Sequence, residues 1–164
     1  MNENKVVILS LRIKRDEYEK QFGRGSGPLV LARTDSLACN GFEDAIQRLI
    51  AFRDMGCDIT FLEAPESVEQ MRDYCSRVDG PKLANMIENG KTPVLPQEEL
   101  KRIGYTMAAY PITLLSASIK AMNHSLTLLK NSQPTDDAIV SFSETKDIVG
   151  FTRYHNEEQR YRVR

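Results

Sequence analysis

From about Pro28 onward, short apolar runs alternate with amphipathic stretches of helical period. LVLA at 29–32 predicts a strand, and Ala45, Leu49 and Phe52 fall on one face of a helix from about Gly41 to Met55, which Gly56 stops. DITFL at 58–62 predicts the next strand, and Ser67 is placed to cap a helix that turns Val68, Met71 and Tyr74 toward a sheet. A third strand is expected at 82–87, a short helix at 97–103, a fourth strand at 105–110 ended by Pro111, and a long apolar helix over 113–130. The strand starts at 29, 58, 82 and 105 recur roughly every 25 residues, which suits parallel strands joined by helical crossovers rather than hairpins. The expected class is therefore α/β, with four βα units making half of a (β/α)8 barrel.

The flanks break this rhythm. NSQPTDD follows Lys130, and Asp136 or Asp137 is expected to cap a last helix through about Val149. The polar segment 150–164 then reads as frayed or docked on a partner. At the other end VVILSL suggests a strand, RIKRDEYEKQF a helix and GRGSG a joint. The chain thus divides into an N-terminal segment at 1–27, four βα units at 28–133, and a C-terminal helix and tail at 134–164.

Composition narrows the partners. With 41% hydrophobic and 27% charged positions over 164 residues, the chain has the balance of one globular core. Lys plus Arg number 22 against 23 Asp plus Glu, a formal charge of -1, so neither nucleic acid nor an anionic membrane is an expected partner. The apolar run near the start is too short for a signal-peptide core or a span, making the cytoplasm the expected location. Three cysteines without CxxC spacing and only two histidines, His124 and His155, argue against a disulfide framework or a zinc site.

In a βα barrel the chemistry sits at the C-terminal strand ends. Arg33 and Asp35 follow the first strand, Glu63 follows the second and Asn85 ends KLAN, bringing a guanidinium, carboxylates and an amide to one rim. That set suits an oxygen-rich anion and a hydrated divalent cation, since Arg forks onto carboxylates and Glu orients metal-bound water. A rim of structural ion pairs uses the same residues, and spacing alone does not choose between the two.

The wording of these segments goes further. ARTDS (32–36), FLEAP (61–65), ANMIENGKTP (84–93), and AYPI (109–112) followed by KAMN (120–123) resemble the phosphoenolpyruvate mutase/isocitrate lyase superfamily, in the family's order and over roughly residues 28–150. The resemblance is strongest to the branch of 2-methylisocitrate lyase, dimethylmalate lyase and carboxyphosphonoenolpyruvate mutase. It implies the C-terminal half of a (β/α)8 barrel, Mg2+ as cofactor, and a small α-oxycarboxylate whose C–C or P–C bond is made or broken through a metal-stabilised enolate. Carried onto this chain, it makes Arg33 a ligand for a substrate carboxylate and Glu63 the catalytic-centre residue, touching metal-bound water or substrate. Asn85 with Met86 and Ile87 is implied as a binder of the second carboxylate. Thr92 and Pro93 shape the pocket, and Tyr110 and Pro111 close the last strand. Ser116 stands where tricarboxylate-cleaving relatives carry an arginine, a departure that weakens a methylisocitrate assignment, and Lys120 replaces that arginine only with a one-turn shift.

The family's first four units carry the metal-binding aspartates and a mobile lysine-cysteine-glycine-histidine loop, and no segment here matches either. Cys39, Cys57 and Cys75 lack the Gly-His context of that loop, and no residue of this chain is expected to ligate the metal directly. Two roles follow: part of a lyase or mutase completed by a complementary N-terminal half-barrel chain, or a non-catalytic remnant or interaction subunit of the same fold. Either predicts a homo-oligomer or a paired half. The resemblance also implies exchange of a terminal helix between subunits, with 143–151 matching it.

Overall fold

The structure is a computed structural model that describes residues 16, 17, 19–21, 23, 25 and 27–162. The strand expected within 1–15 lies outside them. The described residues fall into two compact units, divided between Thr113 and Leu114.

The first unit is a four-stranded parallel sheet: β1 (Leu31–Thr34), β2 (Ile59–Leu62), β3 (Lys82–Asn85) and β4 (Met107–Ala109), lying side by side in chain order. The crossovers are helical, with α1 (Leu37–Asn40) and α2 (Phe42–Asp54) after β1, α3 (Val68–Arg77) after β2 and α4 (Gln97–Ile103) after β3. Side chains alternate along each strand. Ala32, Leu62, Ala84 and Met86 turn to the helices and join Ala45, Ile46, Leu49, Phe52, Met71, Tyr74 and Leu100 in one core. Each large apolar side chain buried there contributes about 1.5–3 kcal/mol. The opposite strand faces carry Arg33, Phe61, Leu83 and Asn85, with Arg33 beside Phe61 and Phe61 beside Leu83 in register. That face carries the rim residues.

Local signals explain the helices. Ser67 caps α3 by accepting the Gln70 N–H at 3.2 Å. Glu43 and Asp44 sit in the first turn of α2 and Arg53 in its last, matching the helix dipole. Gly104 ends α4 at φ 120°. Gly80, in the turn before β3, has φ +81°, and a Cβ there would lie 2.6 Å from the Arg53 guanidinium carbon. Arg53 donates to the Cys57 and Asp58 carbonyls just before β2, so its guanidinium lies between that segment and the Gly80 turn.

The helices at 97–103 and 113–130 form where the pattern placed them. The first strand begins two residues later than expected. Val30 instead donates its N–H to Asp58 Oδ2 at 2.7 Å, while its carbonyl accepts from Asp58 and Ile59, and ladder pairing starts at Leu31 with Ile59.

The second unit contains most of α5 (Thr113–Lys130), a 3-10 turn (Asp136–Ala138), α6 (Phe142–Ile148) and α7 (Phe151–Arg160). None of these helices buries a residue. Along α5, Leu115, Ile119, Met122, Leu126 and Leu129 recur at alternating steps of four and three and are all exposed. The expected tail is corrected here. Asp136 and Asp137 enter the 3-10 turn, and Ser141 instead caps α6 by accepting the Glu144 N–H at 3.1 Å. Most of the segment expected to be frayed or docked on a partner forms α7 after Gly150, whose φ of 85° separates it from α6. Among the described residues no helix is long and apolar enough to cross a membrane.

Candidate functional site

Three strand ends build the rim. Thr34 turns into the helix-side layer, so alternation sends Arg33 to the other face, where its guanidinium carbon lies 5.0 Å from the Phe61 ring centroid. Arg33 Nη2 donates to Asp35 Oδ1 at 2.6 Å, and Nε to Oδ2 at 3.1 Å. The same Nη2 is 3.3 Å from Glu63 Oε2. That oxygen also accepts from Asn85 Nδ2 at 3.3 Å. Asp35, Arg33, Glu63 and Asn85 therefore form one continuous chain of contacts across β1, β2 and β3.

Their exposure differs. The Arg33 and Asp35 side chains are 45% and 64% exposed, whereas Glu63 is 24% exposed. The Asp35 hydrogen bond, chiefly, raises the Arg33 pKa above its ordinary value, so the guanidinium stays charged. Its fork is the geometry that takes a carboxylate. In this structure Asp35 fills it.

Beside Glu63 and Asn85 opens a cavity of about 300 Å³, also lined by Ala64, Ile87, Gly90, Lys91 and Thr92. Ala64 (φ 52°) and Asn89 (φ 60°) are non-glycine residues in the left-handed region, one at each loop leaving the strands. A larger cavity, about 460 Å³, lies along α4 and β4 between Gln97 and Tyr110 and shares no residue with the first. Its lining includes none of the rim residues, and its one charged side chain is Lys101 of α4, so the smaller cavity is the one joined to the strand-end chemistry.

Arg33, Glu63 and Asn85 come together, and Ile87 lines the adjoining cavity. Met86 does not join them through its side chain: strand alternation turns it away, and it is fully buried with the helix-side core. Its N–H is also engaged, donating to the Ala109 carbonyl at 2.8 Å. Ser116 lies in the second unit, exposed on the first turn of α5. His124 is on exposed α5, while His155 pairs with Glu158 on α7. Burial pushes the Cys57 thiol up and the Cys75 thiol to about 11, so neither is a ready nucleophile, and Cys39 is exposed. Phe61 under Arg33 and Lys91 in the cavity wall were not singled out from the sequence. Period-two alternation from Glu63 back to Phe61 was the available signal for the former, whereas Lys91 depends on loop geometry.

Among the described residues no group of three or more His, Cys, Asp or Glu is placed to hold a metal ion. Asp35 and Glu63, the acidic groups at the rim, are each drawn to the Arg33 guanidinium, so the described residues present no ready-made ligand pair for Mg2+.

A family model described as phosphoenolpyruvate phosphomutase matches residues 15–130. The 2,3-dimethylmalate lyase of Eubacterium barkeri is 37% identical over 136 residues, covering 81% of this chain and 47% of that enzyme. The 2-methylisocitrate lyase of Aeropyrum pernix is 36% identical, covering 80% and 43%. Among solved structures, oxaloacetate acetylhydrolase in complex with the product oxalate superposes with a TM-score of 0.82 at 28% identity, covering 96% of this chain and 53% of that one. The chain spans about half the length of the curated relatives it matches.

Proposed function

Because the chain belongs to the phosphoenolpyruvate phosphomutase family, whose matched relatives are lyases and mutases of small oxo-carboxylates, we propose that its rim is the carboxylate-binding part of such an active site. The reaction is the making or breaking of a C–C or P–C bond in an α-oxycarboxylate. The observation that carries this reading is the convergence of Arg33, Glu63 and Asn85 within hydrogen-bond reach at the C-terminal strand ends.

The roles follow from the groups. Arg33 forks onto a substrate carboxylate in place of Asp35, which holds the same donors and is the more exposed of its two acidic partners. Asn85 has an amide to donate to a substrate oxygen while Glu63 orients it and Arg33 together. Ile87 supplies an apolar wall to the cavity. The resemblance alone sets Ser116 where tricarboxylate-cleaving relatives carry an arginine, and that departure weighs against a tricarboxylate substrate. The Mg2+ and enolate chemistry implied by the family belongs to this reading only with ligands from outside the described residues, and the derived roles here are binding and orientation alone.

A second reading rests on a different observation. α5, α6 and α7 bury nothing and α5 carries an apolar seam of alternating four and three spacing. This favours association with a second copy or with a complementary half-barrel, including exchange of the 143–151 segment, in a subunit that need not turn over substrate.

Calorimetric titration of the purified chain with oxalate in the presence of Mg2+, with light scattering for mass, separates the two. Saturable binding lost on Arg33→Ala supports the first reading. A stable oligomer that binds no oxalate supports the second.

A further inference from the structure

The loop that leaves β3 is held at two points by the elements that follow it. Met86 N–H donates to the Ala109 carbonyl at 2.8 Å, a last rung between the end of β3 and the end of β4. Glu88 then reaches the first residue of α5: the Thr113 hydroxyl donates to its two carboxylate oxygens at 2.8 and 3.0 Å. α5 has no acidic residue in its own first turn, so Glu88 supplies from the loop the negative charge that a helix N-terminus favours.

This loop shapes the cavity beside the rim. Ile87 lines it together with Asn85, whose amide donates to Glu63 at 3.3 Å. Gly90 N–H donates to the Ile87 carbonyl at 3.0 Å, and a Cβ on Gly90 would lie 3.3 Å from Ile87 Cβ, so the turn closes directly onto that wall. Asn89, at φ 60°, makes the bend that brings the chain back. Glu88 is exposed and takes no part in the cavity lining. Its charge has the wrong sign to receive an anion, and its side chain is spent on Thr113 instead.

We propose that Glu88 is a positioning residue that acts through Thr113: by tying the loop to the start of α5, it fixes Asn85 and Ile87 for a carboxylate ligand. This rests on the carboxylate-binding reading above. The hydrogen bond and the charge of Glu88 act on that ligand in opposite directions. A loop already fixed leaves less freedom for the ligand to order, which tightens binding, whereas a negative charge next to Ile87 weakens the hold on an anion. Substitution separates the two. Thr113→Val removes the bond without changing charge, and Glu88→Gln removes the charge while its amide oxygen still accepts from the hydroxyl.

The test is calorimetric titration of the full chain with oxalate and Mg2+, with hydrogen exchange at the Gly90 amide by NMR and urea unfolding alongside. It uses the wild type, Thr113→Val, Glu88→Ala and Glu88→Gln. In Thr113→Val oxalate binds about fivefold weaker and Gly90 exchanges about fivefold faster. Glu88→Ala also weakens oxalate, and the double variant is no weaker than Thr113→Val alone. Glu88→Gln binds within about twofold of wild type or tighter. If the wild type binds oxalate and Thr113→Val binds it equally well, the positioning role is overturned and the Arg33 reading stands. A loss in Glu88→Gln as large as in Glu88→Ala also overturns it. So does a lowered urea midpoint with unchanged affinity, since the contact then serves the fold alone. A wild type that binds no oxalate overturns the carboxylate reading itself, and the positioning role with it.

Discussion

Asp35 occupies the donors that a substrate carboxylate would need, so replacing it separates a competitor from a ligand. In Asp35→Asn the 2.6 Å contact to Arg33 Nη2 loses its charge while Arg33 keeps Glu63 at 3.3 Å. Both members of the Arg33–Asp35 pair are well exposed, at 45% and 64%, which puts the pair in the range of about 0.2–1 kcal/mol. At about 1.4 kcal/mol per tenfold, its removal tightens oxalate binding by roughly 1.5- to 5-fold, and fold stability changes by about 0.5 kcal/mol or less. Arg33→Lys acts in the opposite direction. It keeps the charge but loses the fork, and a charge-assisted bond worth about 1.5–3 kcal/mol when sheltered counts for about 1 kcal/mol at this exposure, or roughly fivefold weaker binding. Calorimetry on the three proteins at one ionic strength reads both changes. If Asp35→Asn weakens oxalate as Arg33→Lys does, Asp35 is a ligand and the competition argument is wrong.

Three further expectations concern the scaffold under the rim. Tyr74 and Thr60 are fully buried and share a 2.7 Å hydrogen bond, so Tyr74→Phe alone costs about 1–3 kcal/mol in urea unfolding; the double variant with Thr60→Val costs less than the two singles combined, and strict additivity would show that the bond is not coupled. Gly80→Ala combines φ +81° with a clash on the Arg53 guanidinium and should lower stability by about 1–3 kcal/mol, a loss that Arg53→Ala in the same chain partly relieves. Burial raises the Cys75 thiol from 9.0 to about 11, so the folded state holds that proton where the unfolded chain releases it. The stability this gives is present below about pH 9 and is lost as pH rises toward 11; Cys75→Ala should flatten the decline over that window, and an unchanged slope would remove Cys75 as its source.

The strand-and-helix rhythm was legible because each element carries its own local signal. Ser67 with the Met71 and Tyr74 face defines α3, and Gly104 ends α4 at the residue after Ile103. Strand starts were less legible, since LVL at 29–31 is uniformly apolar and only pairing with Asp58 and Ile59 decides where the ladder begins. In the tail, Asp136 and Ser141 are both good caps, and the choice between them depends on Pro134 and the 3-10 turn rather than on composition. At the rim, Arg33, Glu63 and Asn85 could be read from strand-end position. Met86 sends its side chain to the opposite layer from Asn85 because adjacency in sequence reverses facing in a strand, and Lys91 was passed over because its place depends on how Asn89 and Gly90 fold the loop.

The order of the strands in space is their order along the chain. No described strand is inserted between two earlier ones, so each new βα unit can add to a finished edge without reopening what has formed. Every closure then spans a loop of similar length, and its entropic cost rises only slowly with that length. An architecture assembled this way has natural seams in its βα loops. Pieces cut at such seams keep their own strand pairing and helix packing, and their recombination depends on two outer edges meeting at once.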